Sequence, residues 1–367
     1  MLDQLTPDAV HNLSLAEFDY YLPKERIAQT PLLDRDKSKL LVVDRASSSL
    51  QHKNFFDLPG LLRPGDVLVI NSTKVNARRL FASRIDHPDE RIETFLTHRI
   101  ADGLWRALVR PGKKALPGTV LKYREGLYGR VTERTDDRGG RIIAFSRSAE
   151  SLEPTPDLVG LDNDIFAHGS VPLPPYIETP LPVGDDDRYQ TVYSDEPGSA
   201  AAPTAGLHFT TALLDQIEAM QVKIARVTLH IGLGTFRPIE TEQITDHVIH
   251  SEYLSVDQEA VDTVNECRGR VIAVGTTSAR SLETAAVADG VLAPFEGDTS
   301  LYIMPGYKTR IVDALVTNFH MPRTTLLVMV SALGGTQLMR RAYAEAMSND
   351  YRFLSFGDAM FISGIKK

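Results

Sequence analysis

Residues 60–150 have a sequence pattern that differs from the rest of the chain. Short runs rich in β-branched and aromatic residues are separated there by Gly, Pro and Asp clusters; the runs are DVLVINST, RIETFLTH, LWRALVR, TVLKY, LYGRV and RIIAFS. Strands spaced in this way, without a long helical period, are typical of a small β-barrel or sandwich. We therefore predict an all-β unit over residues 60–150. The chain as a whole then cannot be a single domain in which strands and helices alternate throughout.

Outside that segment, predicted strands and helices alternate. The predicted helices are one through Met220 capped by Thr210 or Thr211, one over residues 257–267, one that follows a turn at residues 276–278 and runs through Ala288, and one capped by Thr324 or Thr325. The predicted strands between them include VKIARVTLH, RVIAVG and DALVTNF. Alternation of this kind indicates an α/β fold whose strands are substantially parallel.

The predicted fold class is α/β, with a larger α/β domain and an inserted small all-β, barrel-like domain. The chain has 367 residues, which exceeds the size of about 250–300 residues at which single cores stop growing. Because an α/β pattern also precedes residue 60, we predict a discontinuous catalytic domain over residues 1–59 and 151–367. The insertion is predicted to cover residues 60–150.

The composition favours a reducing, non-membrane environment. Cys267 is the only cysteine, so the sequence has neither a disulfide within the chain nor a cysteine-based zinc framework. The first residues lack the basic start and apolar run of a signal peptide. The longest apolar stretch, LLVMVSAL, is far shorter than the roughly 20 residues that span a bilayer. We expect a cytoplasmic protein without membrane association.

Charge is distributed unevenly along the chain. Residues 60–150 hold 18 Lys and Arg against 11 Asp and Glu, although the whole chain has a net charge of −8. An acidic catalytic body with a basic RNA-facing insert would show this asymmetry, and so would a small domain with many solvated surface arginines. Charge alone leaves both interpretations open.

Several predicted strand ends carry polar side chains suited to binding or proton transfer. In an open α/β fold, ligands bind beyond the carboxyl ends of the strands. The segments that concentrate Gly, Thr, His and Asn at such places are residues 198–209, 230–236, 246–252, 275–280 and 316–320. Each also has a structural explanation, such as a packed loop with a buried histidine, a glycine bulge or a helix cap. Together they favour an active site.

Two of these segments invite familiar motif assignments that their spacing does not support. His247, His250 and Glu252 suggest zinc, but the helical H-E-x-x-H arrangement is absent, so we predict no metal. A hydrogen-bonded His–Glu pair that orients a loop or a substrate is favoured there. The segment HIGLGTF lacks the G-x-G-x-x-G that opens a helix in dinucleotide-binding folds.

Longer motifs in the sequence carry a family resemblance. They are FDYYLPKERIAQTPLLDRDKSKLLVVD, GDVLVINSTKVNARRL, VPLPPYI with DRYQTVY, GSAAAPTAGLHFT, HIGLGTFRPI, DHVIHSE, GRVIAVGTTSARSLE, MPGYKTRIVDALVTNFHMPRTTLLVMVSALGG and YRFLSFGDAM. In this order, from Phe18 to about Met360, the chain resembles the S-adenosylmethionine:tRNA ribosyltransferase-isomerases, bacterial enzymes of queuosine biosynthesis. Departures such as Lys37, Lys39, Lys74 and Arg323-Thr324 are mild, because they keep charge or a hydroxyl.

The resemblance implies a particular reaction. Enzymes of this family transfer and isomerise the ribosyl group of S-adenosylmethionine onto 7-aminomethyl-7-deazaguanine at the tRNA wobble position, giving epoxyqueuosine and releasing adenine and methionine. It implies S-adenosylmethionine as a co-substrate, no permanently bound cofactor, and a tRNA partner. It also implies an α/β domain with an inserted β-barrel. We expect a monomer.

Candidate site residues follow from the polar segments and from the resemblance. A histidine with a pKa near about 6.5 can act as the general base at neutral pH. The catalytic candidates are His208, His230, His250, His320 and Glu252, with His208 and His230 first. The donor-binding candidates are Thr204, Gly206, Gly232, Gly234, Thr235, Thr276, Thr277, Arg280 and Asn318. The RNA-binding candidates are Lys74, Arg78, Arg79, Arg110, Lys113 and Lys114.

Three other functions are alternatives. A tRNA methyltransferase would use the same donor, but its glycine-rich first turn after an early strand is missing. A non-catalytic RNA-binding protein would explain the basic segment and leave the polar strand ends unexplained. A metal hydrolase would require zinc at the His247, His250 and Glu252 cluster.

Overall fold

The computed structural model describes residues 13–76, 78–137, 139–150, 160–182, 184–236 and 238–365. Within these ranges the strands are, in chain order, β1 (Lys39–Asp44), β2 (Ser49–Asn54), β3 (Val67–Asn71), β4 (Thr73–Val75), β5 (Arg78–Arg84), β6 (His87–Ala101), β7 (Leu104–Arg110), β8 (Val120–Arg124), β9 (Leu127–Arg134), β10 (Gly140–Ser146), β11 (Glu196–Ser199), β12 (Lys223–Leu229), β13 (Glu252–Val256), β14 (Val271–Val274), β15 (Ala286–Ala288), β16 (Val291–Leu292), β17 (Phe295–Thr299), β18 (Ala314–Asn318) and β19 (Ala359–Ser363).

The α-helices in the same ranges are α1 (Leu161–His168), α2 (Thr211–Ala219), α3 (Gln258–Asn265), α4 (Gly275–Ala285), α5 (Thr325–Gly334) and α6 (Thr336–Ser348). Hydroxyl caps define two of their starts, because Thr210 accepts a hydrogen bond from the Leu213 N–H and Thr324 from the Leu327 N–H. No helix within the described ranges is long and apolar enough to cross a membrane.

The chain divides into two compact units, the first of which lies within residues 1–74, 174–196 and 202–367. Its main sheet, over the described residues, has the strand order β17-β13-β12-β3-β14-β18-β19-β1-β2. The four central strands β12, β3, β14 and β18 are mutually parallel. Strands β3, β14 and β18 are buried along their whole length, as expected for parallel strands covered on both faces.

Many strands of this sheet begin or end along the same side of the sheet. The parallel strands β3, β12, β14 and β18 all end there. The outer strands β13, β19 and β1 run in the opposite direction, since β13 pairs antiparallel with β12, β19 antiparallel with β18, and β1 parallel with β19. They therefore begin at the same edge, which we call the carboxyl edge. Polar groups from seven strand ends are brought together in this way.

The second unit comprises Val75–Leu173 and Pro197–Ala201. Strands β10, β7, β6, β5, β8 and β9 form a closed antiparallel barrel. Trp105 is fully buried in its core, and Leu161 and Ile165 of α1 join that core. The Trp105 indole N–H donates to Asp162 Oδ1 at 2.9 Å, which satisfies the one polar atom of the buried ring.

The structure confirms the predicted fold class, an α/β body with a small β-barrel. The barrel unit covers Val75–Leu173 with Pro197–Ala201, whereas the sequence pattern predicts an insertion over residues 60–150. Strand β3, within the run DVLVINST, belongs to the large sheet and not to the β unit. The predicted turn at residues 276–278 is wrong because α4 already begins at Gly275, and this helix ends at Ala285 instead of Ala288.

Candidate active site

A recess at the carboxyl edge, which we call the Glu252 recess, contains many of the candidate residues. It has about 660 Å³ of space between atoms, part of it open to solvent. Its polar lining residues are Gly232, Gly234, Thr235, His247, His250, Ser251, Glu252, Thr276, Thr277, Arg280, Tyr302 and Thr325. Its apolar lining residues are Ile249, Leu301, Ile303, Leu326 and Met329. The walls therefore offer both polar contacts and an apolar surface.

Glu252 organises the polar side of this recess. Its Oε1 accepts hydrogen bonds from the Gly232 N–H at 2.9 Å and the Thr235 hydroxyl at 2.8 Å. Its Oε2 lies 2.6 Å from Nη1 of Arg280. Glu252 is buried, so these donors replace the water that its carboxylate lost. These contacts of Glu252 join three segments that are distant in the sequence into one wall of the recess.

Three polar atoms on this recess have no hydrogen-bond partner among the described residues. They are the Thr277 hydroxyl, Nε of Arg280 and the Tyr302 hydroxyl. Burial raises the pKa of Tyr302, which keeps its hydroxyl protonated and able to donate. Buried polar groups are costly without partners. A ligand with hydroxyl, amino or carboxylate groups would satisfy them, while a flat apolar group could contact Leu301 and Met329.

His250 lies on the wall of the Glu252 recess and is exposed. Its imidazole is close to Gly234, where an added Cβ would lie 2.4 Å from the His250 Cδ2 atom. Nearby His247 packs edge-on against Tyr302, and burial followed by the His250 charge lowers the pKa of His247. In the described part of the chain, no group of three or more His, Cys, Asp or Glu side chains is placed to hold a metal ion.

A second recess, the Asn318 recess, adjoins the first. Both are lined by Thr235 and Leu326. The other lining residues are Tyr176, Thr204, Asn318, Phe319, His320, Met321, Thr324, Leu354 and Ser355. The amide nitrogen of Asn318 donates to the main-chain carbonyl of Leu354 at 3.0 Å. Its Oδ1 has no partner among the described residues, although the side chain is only 2% exposed.

His208 is buried behind Asn318, where both of its ring nitrogens are occupied. Nε2 accepts from the Asn318 amide at 3.2 Å, which places the imidazole proton on Nδ1, 2.8 Å from the Ser38 hydroxyl. Burial, with smaller effects of the Arg352 and Arg35 charges, lowers the pKa of His208 to about 3. A neutral imidazole with both nitrogens engaged is suited to fixing Asn318 and poorly suited to taking a proton.

The remaining histidine candidates differ in their surroundings. His320 lines the Asn318 recess, its Nε2 lies 2.9 Å from the Thr317 hydroxyl, and burial lowers its pKa to about 3. His230 follows β12, with Nδ1 2.7 Å from the Thr73 hydroxyl and its ring stacked on Tyr253. His230 does not line either recess.

The donor-binding candidates are divided between the two recesses. Six of them line the Glu252 recess, and Thr204 and Asn318 line its neighbour, with Thr235 in both. Gly206 lines neither recess. A Cβ there would lie 2.1 Å from the Tyr193 hydroxyl, so internal packing alone explains the need for glycine.

The basic candidates include exposed and paired side chains. Lys74, Arg110 and Lys113 are exposed. Nζ of Lys114 lies 3.1 Å from Glu90 Oε1, and Nε of Arg79 lies 2.9 Å from Glu93 Oε1. The Arg78 guanidinium lies over the ring of Phe166, 5.0 Å from its centroid.

Sequence reasoning did not select Tyr302, Tyr176 or Ser355, although all three line these recesses. Ser355 lies in YRFLSFGDAM and Tyr176 in VPLPPYI, two motifs to which no role was assigned. The hydroxyls of Tyr176 and Ser355 lie 2.8 Å apart. Their position in a family motif was the only sequence signal for a functional role. A tyrosine at the end of a Pro-rich run is explained equally well by a packing role in the core.

A mixed sheet whose parallel strand ends meet at two adjoining polar recesses is the arrangement in which α/β enzymes bind small polar ligands. The sequence profile of the family described as "Queuosine biosynthesis protein" matches residues 15–362. The chain belongs to this family, the S-adenosylmethionine:tRNA ribosyltransferase-isomerases of queuosine biosynthesis.

Individual relatives agree with that assignment. The chain is 50% identical to the S-adenosylmethionine:tRNA ribosyltransferase-isomerase of Symbiobacterium thermophilum over 353 residues, which cover 95% of this chain and all of the relative. It is 46% identical to the enzyme of the same name from Heliobacterium modesticaldum, with the same coverage. The crystal structure of the S-adenosylmethionine tRNA ribosyltransferase from Thermotoga maritima matches with a TM-score of 0.52 and 35% identity, over 94% of this chain and 99% of that one.

Proposed function

We propose that this enzyme transfers and isomerises the ribosyl group of S-adenosylmethionine onto 7-aminomethyl-7-deazaguanine at the wobble position of tRNA. The products are epoxyqueuosine in the tRNA, adenine and methionine. Membership of the family supports the reaction. The structural observation that carries it is the pair of adjoining recesses that share Thr235 and Leu326, because a transfer reaction must hold two substrates in contact.

The Glu252 recess is proposed to bind S-adenosylmethionine. Its unpartnered Thr277 and Tyr302 hydroxyls and Arg280 Nε would bind the ribose and amino-acid groups. Leu301 and Met329 would contact the adenine ring. Glu252 acts indirectly, since it holds the Gly232 backbone and the Arg280 side chain in place. The sulfonium of the donor acidifies the methylene next to it, which makes proton removal by a protein base feasible.

His250 is the proposed base. It lies on the wall of the recess that would hold the donor, whereas both ring nitrogens of His208 are engaged and His230 lies outside that wall. An imidazole accepts a proton near neutral pH, and it could act on the donor methylene or on the aminomethyl group of the RNA base. His230 and His320 are the other candidates for the second proton transfer, because both ring nitrogens of His208 are engaged.

The Asn318 recess is proposed to receive the acceptor base. A base in the anticodon loop must leave its stack to react, and proteins receive such bases in pockets with hydrogen-bonding edges. The unpartnered Oδ1 of Asn318 can accept a hydrogen bond from an N–H of the base. The exposed basic residues of the barrel unit, with Lys113 foremost, would contact other parts of the tRNA. We retain a monomeric, cytoplasmic enzyme as part of the same proposal.

Two differently labelled donors test the reaction. Label in the ribosyl carbons should enter the modified tRNA, whereas label in the methyl group should leave with methionine. A tRNA methyltransferase would give the reverse pattern. Transfer of the methyl label to tRNA, without the ribosyl label, would therefore contradict the proposed function.

A further inference from the structure

We propose that a third recess at the carboxyl edge binds a backbone phosphate of the RNA beside the nucleotide that reacts. The proposal deepens the proposed function and rests on it for the identity of the RNA. The recess, which we call the arginine recess, has about 310 Å³ of space between atoms, part of it open to solvent. Its lining residues are Pro31, Leu32, Arg35, Ser38, Arg188, Leu207, His208, Arg352, Ser355, Phe356 and Gly357.

The charge of this lining favours an anion. Three arginines line the recess, and no acidic side chain of the described residues is among its lining. Two carboxylates outside the lining interact with these arginines. Asp187 favours the charged form of Arg35, and Asp358 Oδ1 is 3.7 Å from Nη2 of Arg352. Arg35 and Arg188 have no ion pair within the described part of the chain, so the local charge is only partly compensated.

Two of the arginines are held in place by main-chain carbonyls. Arg35 donates from both terminal nitrogens, to the carbonyls of Gln190 and Asp187 at 2.6 Å each. Arg188 donates in return to the carbonyls of Leu32 and Leu33. Each guanidinium has five N–H donors, so donors remain after these contacts. Fixed guanidinium groups bind phosphate oxygens with little further loss of side-chain entropy.

Arg35 and Arg188 also repel one another electrostatically. Burial, followed by the charge of Arg188, lowers the pKa of Arg35. The charges of Arg352 and Arg35 add to the effect of burial on His208. An anion between these groups would relieve the repulsion. Like charges that are gathered in one recess and only partly compensated by carboxylates indicate a ligand of opposite charge.

The position of the recess identifies the source of the anion. It shares Ser355 with the Asn318 recess and no residue with the Glu252 recess. His208 forms part of its wall and also binds the amide of Asn318. The order along the edge is therefore donor, acceptor base and anion. An anion on the acceptor side fits the phosphate of a nucleotide whose base occupies the Asn318 recess, and not the carboxylate of the donor.

All three arginines lie in motifs that carried the family resemblance without a role of their own. Arg35 is in the motif that begins FDYYLP, Arg188 is in DRYQTVY and Arg352 is in YRFLSFGDAM. They are far apart in the sequence, and the fold brings them to one recess. Phosphate binding would be a function that the arginines of these three motifs share.

The test pairs protein variants with single neutral phosphates in the RNA. Binding is measured without S-adenosylmethionine, with tRNA that carries a methylphosphonate at one position on either side of the wobble nucleotide. The main variant is Arg352→Gln, because Arg35 and Arg188 also hold the main chain. Arg341→Gln is the matched control, since that exposed arginine lies outside the recess. Urea unfolding establishes that each variant is folded.

The expected result is a loss of about tenfold in tRNA affinity for Arg352→Gln, as for one charge-assisted contact. One methylphosphonate should cost the wild-type enzyme a similar factor and cost the variant nothing more. Arg352→Lys should restore part of the affinity, and Arg341→Gln should behave as wild type. If the affinity losses from Arg352→Gln and from the methylphosphonate multiply at every position tested, the arginine and the phosphate act independently, and the proposal is wrong.

A second measurement, of S-adenosylmethionine binding, distinguishes an RNA phosphate from the donor carboxylate as the anion. It also distinguishes failure of the phosphate proposal from failure of the proposed function. If Arg352→Gln weakens S-adenosylmethionine binding and leaves tRNA binding intact, the recess takes the donor carboxylate and the phosphate proposal is wrong. Because the RNA experiment measures binding without turnover, failure to transfer a ribosyl group would contradict the proposed function alone.

Discussion

Glu252 and Arg280 form a shielded ion pair, with Nη1 2.6 Å from Oε2 and side-chain exposures of 6% and 11%. The same carboxylate holds the Gly232 backbone and Thr235, so the pair connects β13 with α4 and with the segment after β12. Burial lowers the pKa of Arg280, while the Glu252 charge acts in the opposite direction. The pair therefore fixes the proposed donor site more than it adds net stability.

Glu252→Ala should leave Arg280 buried without its counter-ion. We expect a loss of roughly 3–5 kcal/mol in the free energy of unfolding, measured in urea, because an unpaired buried charge is costly. S-adenosylmethionine affinity should fall at least about tenfold. Glu266→Ala is the control, since its pair with Lys223 is 69% and 59% exposed and should contribute at most about 1 kcal/mol. Equal losses in the two variants would contradict the assigned role of Glu252.

His250→Ala should lower kcat by about 10² to 10⁴, the usual range for removal of a general base. Adenine release under saturating substrates measures this effect. His208→Ala should act mainly through disorder of Asn318 and raise the KM for tRNA. Unchanged turnover in Ala variants of His208, His230, His250 and His320 would contradict the assignment of the base to any of these four histidines.

Acid should destabilise the enzyme through its buried histidines. Burial lowers the pKa of His208 and His320 from 6.5 to about 3, so the folded state binds fewer protons than the unfolded state between these values. The free energy of unfolding should fall as pH decreases from about 6.5 towards 3, by at most about 1.4 kcal/mol per pH unit for each histidine. Gln replacements of either should flatten this slope, whereas the exposed control His98→Gln should not. If the free energy of unfolding depends on pH equally in the wild type and in all variants, the lowered pKa values of His208 and His320 are not the cause of acid destabilisation.

Lys113→Glu should weaken tRNA binding by reversing an exposed charge on the barrel unit. The log–log slope of affinity against salt should become shallower by about 0.7–0.9 for each lost phosphate contact. Lys114→Glu would also place a negative charge beside Glu90, so unfolding must be measured in parallel for that variant. S-adenosylmethionine binding should remain unchanged. Parallel loss of donor and tRNA binding would count against a separate RNA contact on this unit.

The sequence was most informative where local pattern determines local structure. The β-rich runs predicted the barrel, and the threonine pairs at residues 210–211 and 324–325 predicted the starts of α2 and α5, where Thr210 and Thr324 are the caps. Local pattern does not reveal which sheet a strand joins. For that reason the sequence pattern assigns β3 to the inserted β unit, although in the structure it pairs with β12 and β14 of the large sheet.

Site residues were harder to predict because burial and partners depend on the whole fold. His208 and His320 look like bases in the sequence, but burial holds the pKa of each at about 3. The arginine recess gathers three segments that are distant in the chain, and no single motif reveals it. The strand-end rule nevertheless located Glu252, Thr277 and Arg280 on one recess.

The most direct test of the central claim is incubation of the enzyme with S-adenosylmethionine and tRNA that carries 7-aminomethyl-7-deazaguanine at the wobble position. Nucleoside mass spectrometry and an adenine assay then measure the products together. We predict epoxyqueuosine and one released adenine for each modified nucleotide. A methylated nucleoside without adenine release, or no product from enzyme shown to bind this tRNA, would contradict the account.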